Sequence, residues 1–232
     1  MNEIKAVFKE KIERTDAVAS FRFKTDEKIN FSPGQFMEVI LDKENKDLKH
    51  YLSFSSSPAR DYVEFTKRIS DSGFCKKLME LKEGDEVLLK LPFGNCVYKE
   101  EYGKIGFLIG GVGITPVISM LEHISDKNLN TDAVLFYSNR REGDIAFKEQ
   151  LDEWREKENI EVIYFVTAEE PQDKSIKFTL LNADVLKQYQ DRFLDRVFFI
   201  FGPPKMVDAL FKVLKELGVA EEKIKTEKFL GY

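Results

Sequence analysis

The chain has 232 residues, 43% of them hydrophobic and 33% charged, and carries a net charge of −5. That is enough chain for one large or two small cored domains, and the acidic balance argues against a nucleic-acid partner, whose affinity would rest on a basic surface. With only two cysteines, Cys75 and Cys96, and two histidines, His50 and His123, a disulfide framework, a four-cysteine cluster and a multi-histidine metal site are excluded, so no metal is expected. The opening residues do not read as a signal peptide and no apolar run nears ~18 residues, so a cytoplasmic protein without a membrane role is expected.

Residues 1–98 alternate apolar and polar at the strand period. Six strands are predicted, at Ile4–Phe8, Val18–Phe23, Phe36–Leu41, His50–Phe54, Tyr62–Thr66 and Glu86–Leu91, with turns at Pro33-Gly34, Pro58 and Gly84-Asp85. Such a series closes most easily into a small antiparallel six-stranded β-barrel. One helical patch interrupts it, Gly73–Leu81, with Ser70, Asp71 and Ser72 as cap candidates. Glu100–Lys104 reads as a linker.

From 104 to 232 strands and helices alternate. Strands are expected at Ile105–Gly110, Ala133–Ser138, Ile160–Thr167, Val197–Phe201 and Ile224–Phe229, with helices over 115–125, 145–157, 179–189 and Pro204–Leu217. This pattern implies an α/β domain around a five-stranded parallel sheet, with ligands at the C-terminal ends of its strands.

The first of those strands ends in Gly110-Gly111-Val112-Gly113-Ile114-Thr115-Pro116. Glycines at such a turn let backbone approach a ligand closely, and the helix N-terminus behind them suits a pyrophosphate. Thr115 sits where an N-cap hydroxyl belongs, and Pro116 suits the first helical turn. The alternative is a glycine-rich strand-to-helix turn of any α/β domain. The turn is not the Rossmann fingerprint, because Pro116 replaces its third glycine and the nearest acid, Asp132, precedes the second strand instead of ending it. A dinucleotide site of another kind is expected.

Several ordered motifs extend this reading: His50-Tyr51-Leu52-Ser53 followed by Pro58, Ser72-Gly73-Phe74, Glu83–Val87, Leu91–Gly94, Phe136–Arg140 with Phe147, Phe201–Met206 and Thr226–Tyr232. Over nearly its whole length the chain resembles the ferredoxin–NADP reductase superfamily. The resemblance implies FAD on the barrel half, held by His50, Tyr51, Leu52, Ser53, Phe65, Thr66, Lys67, Ser72, Gly73 and Phe74, with the ring in a cleft between the halves. It implies a nicotinamide nucleotide at Gly111, Val112, Gly113, Ile114, Thr115, Pro116, Ser138, Asn139, Arg140, Gly202, Pro203, Pro204 and Met206. Ser53 and Thr115 are expected near the reacting flavin atom.

The chain departs from the family pattern at three positions. His50 replaces an arginine and, being largely neutral at pH 7, is a weaker phosphate partner, so the backbone N–H groups of Gly73 and Phe74, with Lys67 or Arg68, are expected to take more of the pyrophosphate. Leu52 replaces the tyrosine that stacks on the flavin. Phe201 stands where relatives carry a small residue beside the reacting carbons. Glu227 matches an acid that the family places near the nicotinamide, its alternative being a charged residue on an edge strand. Tyr232 matches an aromatic that covers the other flavin face, its alternative being a frayed end. For His50 the alternative is an ordinary exposed strand histidine. His123 is expected to be structural, and Cys75 and Cys96 to be buried small hydrophobes.

The resemblance implies an enzyme that moves a hydride from NADH or NADPH to FAD and passes electrons to a separate carrier of ferredoxin or flavodoxin type. The alternatives are the reductase component of an oxygenase, a flavin or ferric reductase, and a weakly active nucleotide- and flavin-binding regulatory subunit. NADH is favoured, because Ala168-Glu169-Glu170 stand where NADPH-using relatives carry a Ser-Arg pair. Arg140 and Arg141 are the residues able to reverse that preference.

Overall fold

The structure is a computed structural model that describes residues 2–157, 159–193 and 195–229. The chain divides into two compact units: residues up to Tyr98 together with Thr115–Lys127, and Lys99–Ile114 together with the residues from Asn128 onward.

The first unit is built on a six-stranded antiparallel sheet of β1 (Asn2–Thr15), β2 (Val18–Lys24), β3 (Phe36–Ile40), β4 (Lys49–Ser53), β5 (Val63–Arg68) and β6 (Glu86–Phe93), in the order β4-β3-β6-β1-β2-β5. The sheet curls until its edge strands meet at one bridge, Phe54 opposite Phe65. This is the expected barrel. β1 runs far past its predicted end because it serves two neighbours, pairing with β6 over Asn2–Val7 and with β2 over Val7–Thr15. Strand alternation sends Phe8, Phe21, Phe23, Val39, Phe65 and Leu89 inward. Phe65 stacks between Phe21 and Phe23, with ring centroids 5.6 and 5.3 Å away. Helix α1 (Gly73–Met79) adds Phe74 and Leu78 to the same core.

The opposite face of β2 and β5 holds a buried polar network. Glu64, only 2% exposed, accepts from Arg22 Nε at 2.8 Å, Arg14 at 3.2 Å and Ser55 Oγ at 3.0 Å. A buried carboxylate persists only when so paired.

The second unit is a parallel sheet of β7 (Lys104–Gly110), β8 (Asp132–Asn139), β9 (Ile160–Val166), β10 (Lys177–Phe178), β11 (Val197–Gly202) and β12 (Ile224–Lys228), ordered β10-β9-β8-β7-β11-β12. It has six strands where five were expected. The extra one, β10, is two residues long and carries no periodicity for a sequence to show. The helix expected over 179–189 shrinks to α4 (Ala183–Lys187), which starts where Asn182 Oδ1 accepts the Val185 N–H at 3.0 Å. α3 (Lys148–Lys157) and α5 (Pro204–Glu216) fall near their predicted places, and α5 seats Val207, Leu210 and Leu214 in the core beside Leu108, Phe198 and Ile200. Asp132, the first residue of β8, forms a two-bonded pair with buried Arg196, at 2.8 and 2.9 Å, at the edge where the strands begin.

α2 (Thr115–Asp126) follows the glycine turn in the chain and is part of the first unit.

Candidate functional site

On the barrel unit the candidate residues lie on β4, β5 and the start of α1. Alternation along β4 separates Tyr51 from His50 and Leu52. Tyr51 is 61% exposed and packs edge-on against Phe36 and Phe93, so it stands apart from the other two. Leu52 lies half-buried against the barrel core, and Ser53 is buried. His50 is half-buried with its ring 4.3 Å from Phe74. Burial first, and the Lys67 charge second, push its pKa below the ordinary imidazole value. His50 is therefore neutral near pH 7, and the nearby positive charge belongs to Lys67, whose Nζ lies 5.9 Å from the Phe74 ring.

Two expectations on β5 need correction. The Phe65 side chain is in the barrel core, and the Thr66 hydroxyl is committed to Ser20 at 2.6 Å and Ser55 at 2.7 Å. Both residues keep only backbone groups for a ligand. α1 starts as expected, with Ser72 Oγ accepting the Cys75 N–H at 3.2 Å and Ser72 O accepting the Lys76 N–H at 3.0 Å. The N–H groups of Gly73 and Phe74 belong to the orphan first turn of that helix. Gly73 is exposed, and a Cβ there would meet only Leu48 Cδ2, at 3.9 Å. The Cys75 thiol is buried against Ser70 and Arg68 O, whereas Cys96 is only half-buried, contrary to expectation.

In the α/β unit, strand register collects the candidates at one edge. Gly110 pairs with Ser138, Asn139 with Val166, and Gly202 with Lys228, so the strands reach this edge level with one another. The order places the switch point between β7 and β11, where α/β sheets bind ligands.

The glycines here do different work. Gly111 has φ +54° and nothing within 4 Å of a Cβ position, so it leaves backbone open to a ligand. Gly113 faces protein instead: a Cβ would stand 2.4 Å from Phe201 O and 2.8 Å from its carbonyl carbon. Gly110 and Gly202 each leave room for Met206, whose Sδ and Cε respectively would lie 2.6 Å from a Cβ. The residues Gly111–Ile114 form a 3₁₀ turn that runs straight into α2, so Thr115 is the first α-helical residue and not a cap in extended conformation. Val112 is half-buried, Ile114 and Thr115 are buried, and Pro116 sits in the first turn of α2. Across the edge, Pro203 precedes α5 with Pro204 as its first residue, a use of proline where no N–H is needed.

Two polar groups stand out among the described residues of this edge. Asn139 is 7% exposed, yet its Nδ2 has no hydrogen-bond partner among the described residues. Glu227, half-buried on β12 beside Phe201 in register, has its carboxyl pushed up to about 7 by burial. Buried polar atoms without partners are rare in folded chains. Phe201 is fully buried in an aromatic row with Phe199 and Phe229, so it does not present its ring as an open wall. Ser138 is half-buried. Arg140 is exposed, its carbonyl accepting from Thr167 and Ala168 N–H at 3.2 and 2.8 Å. Arg141 Nε lies 3.7 Å from Glu169. His123 is buried with its ring edge toward Tyr98, as a structural residue. Tyr232 lies outside the described residues.

The open backbone at Gly73 fits a flavin nucleotide, and the open backbone at Gly111 with Asn139 and Glu227 at the same sheet edge fits a nicotinamide nucleotide. Sequence reasoning missed the Glu64 network and the seat of α2 on the barrel segment 54–60. The alternating positions of Arg14, Ser20, Arg22, Glu64 and Thr66 were the available signal for the first.

Comparison with known proteins bears on the same two regions. Residues 4–98 match the model of the oxidoreductase FAD-binding domain, and residues 107–212 that of the oxidoreductase NAD-binding domain. The chain is 27% identical over 198 residues to NADH-cytochrome b5 reductase 1 of Mortierella alpina, covering 83% of this chain and 66% of the relative. It is 30% identical over 227 residues to the glycine betaine monooxygenase reductase subunit of Pseudomonas aeruginosa, covering 94% and 62%. It is also 30% identical over 215 residues to the plasma membrane-associated coenzyme Q6 reductase PGA3 of Saccharomyces cerevisiae, covering 89% and 68%. The chain thus spans about half to two-thirds of the length of the curated relatives it matches. In fold it is similar to a ferredoxin NADP+ reductase from Neisseria gonorrhoeae (TM-score 0.84, 19% identity, 98% of this chain and 99% of that one). It is similar also to the Amycolatopsis cytochrome P450 reductase GcoB (TM-score 0.85, 19% identity, 98% and 70%).

Proposed function

The chain belongs to the ferredoxin–NADP reductase superfamily of FAD- and NAD(P)-binding oxidoreductases, and from that premise we propose that it takes a hydride from NADH and delivers electrons to a separate carrier. The observation that carries the reading is the α/β edge, where Gly111 is open, Asn139 Nδ2 has no partner among the described residues, and burial alone raises the Glu227 carboxyl. FAD bound to the barrel unit would accept a hydride from the nucleotide and release its electrons singly, chemistry that belongs to the cofactor.

The chain's own part is binding and orientation. Gly73 and Phe74 N–H groups, with Lys67, would hold the flavin's pyrophosphate, and Leu52 and Ser53 would face its ring. Gly111 would admit the nucleotide's phosphates to backbone N–H groups, at the sheet edge where Asn139 ends β8. Glu227, whose carboxyl burial pushes up to about 7, would offer a hydrogen-bond donor on β12 in its protonated form. Thr115 remains the candidate on the helix side.

NADH is favoured over NADPH. Glu169 lies at Arg141, so one of the two arginines able to meet a 2′-phosphate already has an acidic neighbour. Glu170 adds a second negative charge in the same loop, within reach of its own Lys174. The name of the Mortierella relative, an NADH-cytochrome b5 reductase, supports the same choice. Likeness to the oxygenase reductase subunit supports a second reading, that the carrier is an oxygenase component instead of a ferredoxin, flavodoxin or cytochrome.

The test is steady-state reduction of an artificial dye by FAD-loaded protein. A kcat/KM for NADH about tenfold above that for NADPH is expected. No turnover with either nucleotide overturns the enzyme reading and leaves the regulatory-subunit alternative.

A further inference from the structure

α2 follows the proposed nucleotide turn in the chain and belongs to the barrel unit. In the chain it continues directly from the Gly111–Ile114 turn, so its first residues, Thr115 and Pro116, belong to the proposed nucleotide site. In space it is seated on the barrel unit. Ser119 Oγ donates to Ser56 O at 2.7 Å, and Glu122 Oε2 accepts the Ser57 N–H at 2.6 Å. Arg60 reaches Glu122 at 3.2 Å and Asp126 at 2.9 Å. Met120 Cε sits where a Cβ on Gly34 would stand, 2.4 Å away, and Gly34 has φ +102°.

The segment that receives these contacts follows β4 immediately. Ser55, Ser56 and Ser57 are almost completely buried. They are held from the other side as well, by Ser55 N–H to Glu64 O at 2.8 Å and Glu64 N–H to Ser56 Oγ at 3.0 Å. Ser53, the proposed ring-facing residue, lies three and four residues before the two contact points. Ser119 is about one helical turn from Thr115, and Glu122 about two. A charge-assisted bond to a buried N–H is short, directional and costly to break, which suits a joint that must not shift.

We propose that Glu122 is a positioning residue for nucleotide-dependent flavin reduction: through Ser57 and Arg60 it fixes α2, the helix that continues from the Gly111–Ile114 turn in the chain, on the barrel unit. Ser119 is its partner at the Ser56 carbonyl. The inference rests on the functional reading above. Glu122 touches no cofactor itself. Its removal therefore changes the alignment of the reacting groups more than the affinity for either, and a misplacement of about 1 Å is enough to cost a hundredfold in rate.

The experiment is anaerobic single-turnover reduction of the full chain, reconstituted with FAD, by NADH over a range of concentrations. It uses the unmodified protein, Glu122→Ala, Glu122→Gln and Ser119→Ala. For Glu122→Ala the limiting rate is expected to fall about tenfold or more, with FAD content unchanged and the NADH Kd within about threefold. Glu122→Gln, which keeps an acceptor for Ser57 N–H, should recover to within about threefold of the unmodified rate. A limiting rate for Glu122→Ala within about twofold of the unmodified protein overturns the proposal, as does a loss that tracks FAD content. Should Glu122→Ala not fold, Ser119→Ala decides the matter: a limiting rate lowered about threefold at unchanged FAD content supports the joint, and an unchanged rate overturns it. Failure of the unmodified protein to be reduced by NADH overturns the functional reading itself, a result distinct from every variant outcome.

Discussion

The two units treat their polar candidates in opposite ways. In the barrel, Thr66 is bonded to Ser20 and Ser55, Glu64 to two arginines, and His50 lies neutral against Phe74. In the α/β unit, Asn139 Nδ2 is buried without a hydrogen-bond partner among the described residues, and the half-buried Glu227 carboxyl is raised by burial alone. A carboxylate with two guanidinium partners is part of the scaffold. One left to be neutralised by its own burial is available for a ligand. The comparison separates polar residues committed to the scaffold from polar residues that keep bonding capacity.

Glycines sharpen the contrast and give the largest expected effect. Gly113→Val drives a Cβ to 2.4 Å from Phe201 O, backbone that cannot yield cheaply. It should lower the stability of the α/β unit by about 3 kcal/mol or more in urea unfolding, with nucleotide binding lost as a consequence. Gly111→Ala meets only the strain of its positive φ, costing about 1–2 kcal/mol, so here the NADH KM should rise with the fold retained. Equal stability losses for the two would erase the distinction between a packed glycine and an open one.

Gly73→Val is the barrel's counterpart to the open glycine. With Leu48 at 3.9 Å as its only neighbour, the new side chain leaves the unit folded but occupies the space over the first turn of α1. FAD affinity measured by calorimetry should fall about tenfold with little change in melting temperature, and unchanged affinity would remove α1 from the flavin site.

Charge at the loop after β9 comes next. Glu169→Arg removes the acid beside Arg141 and adds a second cation, so the ratio of kcat/KM for NADPH to that for NADH should rise about fivefold. An unaltered ratio would move the 2′-hydroxyl away from this loop.

The smallest effect is a pH dependence. Glu227 has a folded pKa of about 7, above its ordinary 4.5, so the native state binds the proton more tightly than the unfolded chain does. Its contribution is therefore fully present below about pH 4.5 and is lost as pH rises toward 7. Glu227→Gln should flatten that part of the stability profile, read from urea midpoints at pH 5 and 8. The same slope in both proteins would place the carboxyl in water.

Much of this was legible in the sequence, for physical reasons. Alternating large apolar side chains at Phe21, Phe23, Phe65 and Leu89 have nowhere to go but a barrel interior, and Gly110–Pro116 can only be a tight strand-to-helix turn. Edges were less legible. β10 is two residues paired through backbone alone, and the charged run from Lys9 to Thr15 hid the rest of β1 because its pairing with β2 needs no apolar face. The division of labour between Gly111 and Gly113 was invisible, since it depends on Phe201, a residue 88 positions after Gly113 in the chain and brought close only by the pairing of β7 with β11. Phe65 and Thr66 were placed in the site by their motif position, and strand alternation and the Glu64 network took both side chains away.

The central claim is that this chain holds FAD and a reduced nucleotide and lets a hydride pass between them. Stopped-flow loss of the flavin's visible absorbance, with NADH and with NADH deuterated at the transferred position, tests it most directly. The account predicts rapid bleaching that deuteration slows by a factor of about two or more, as a bond to hydrogen broken in the transition state requires. A protein that takes up FAD yet is not bleached by NADH would contradict it.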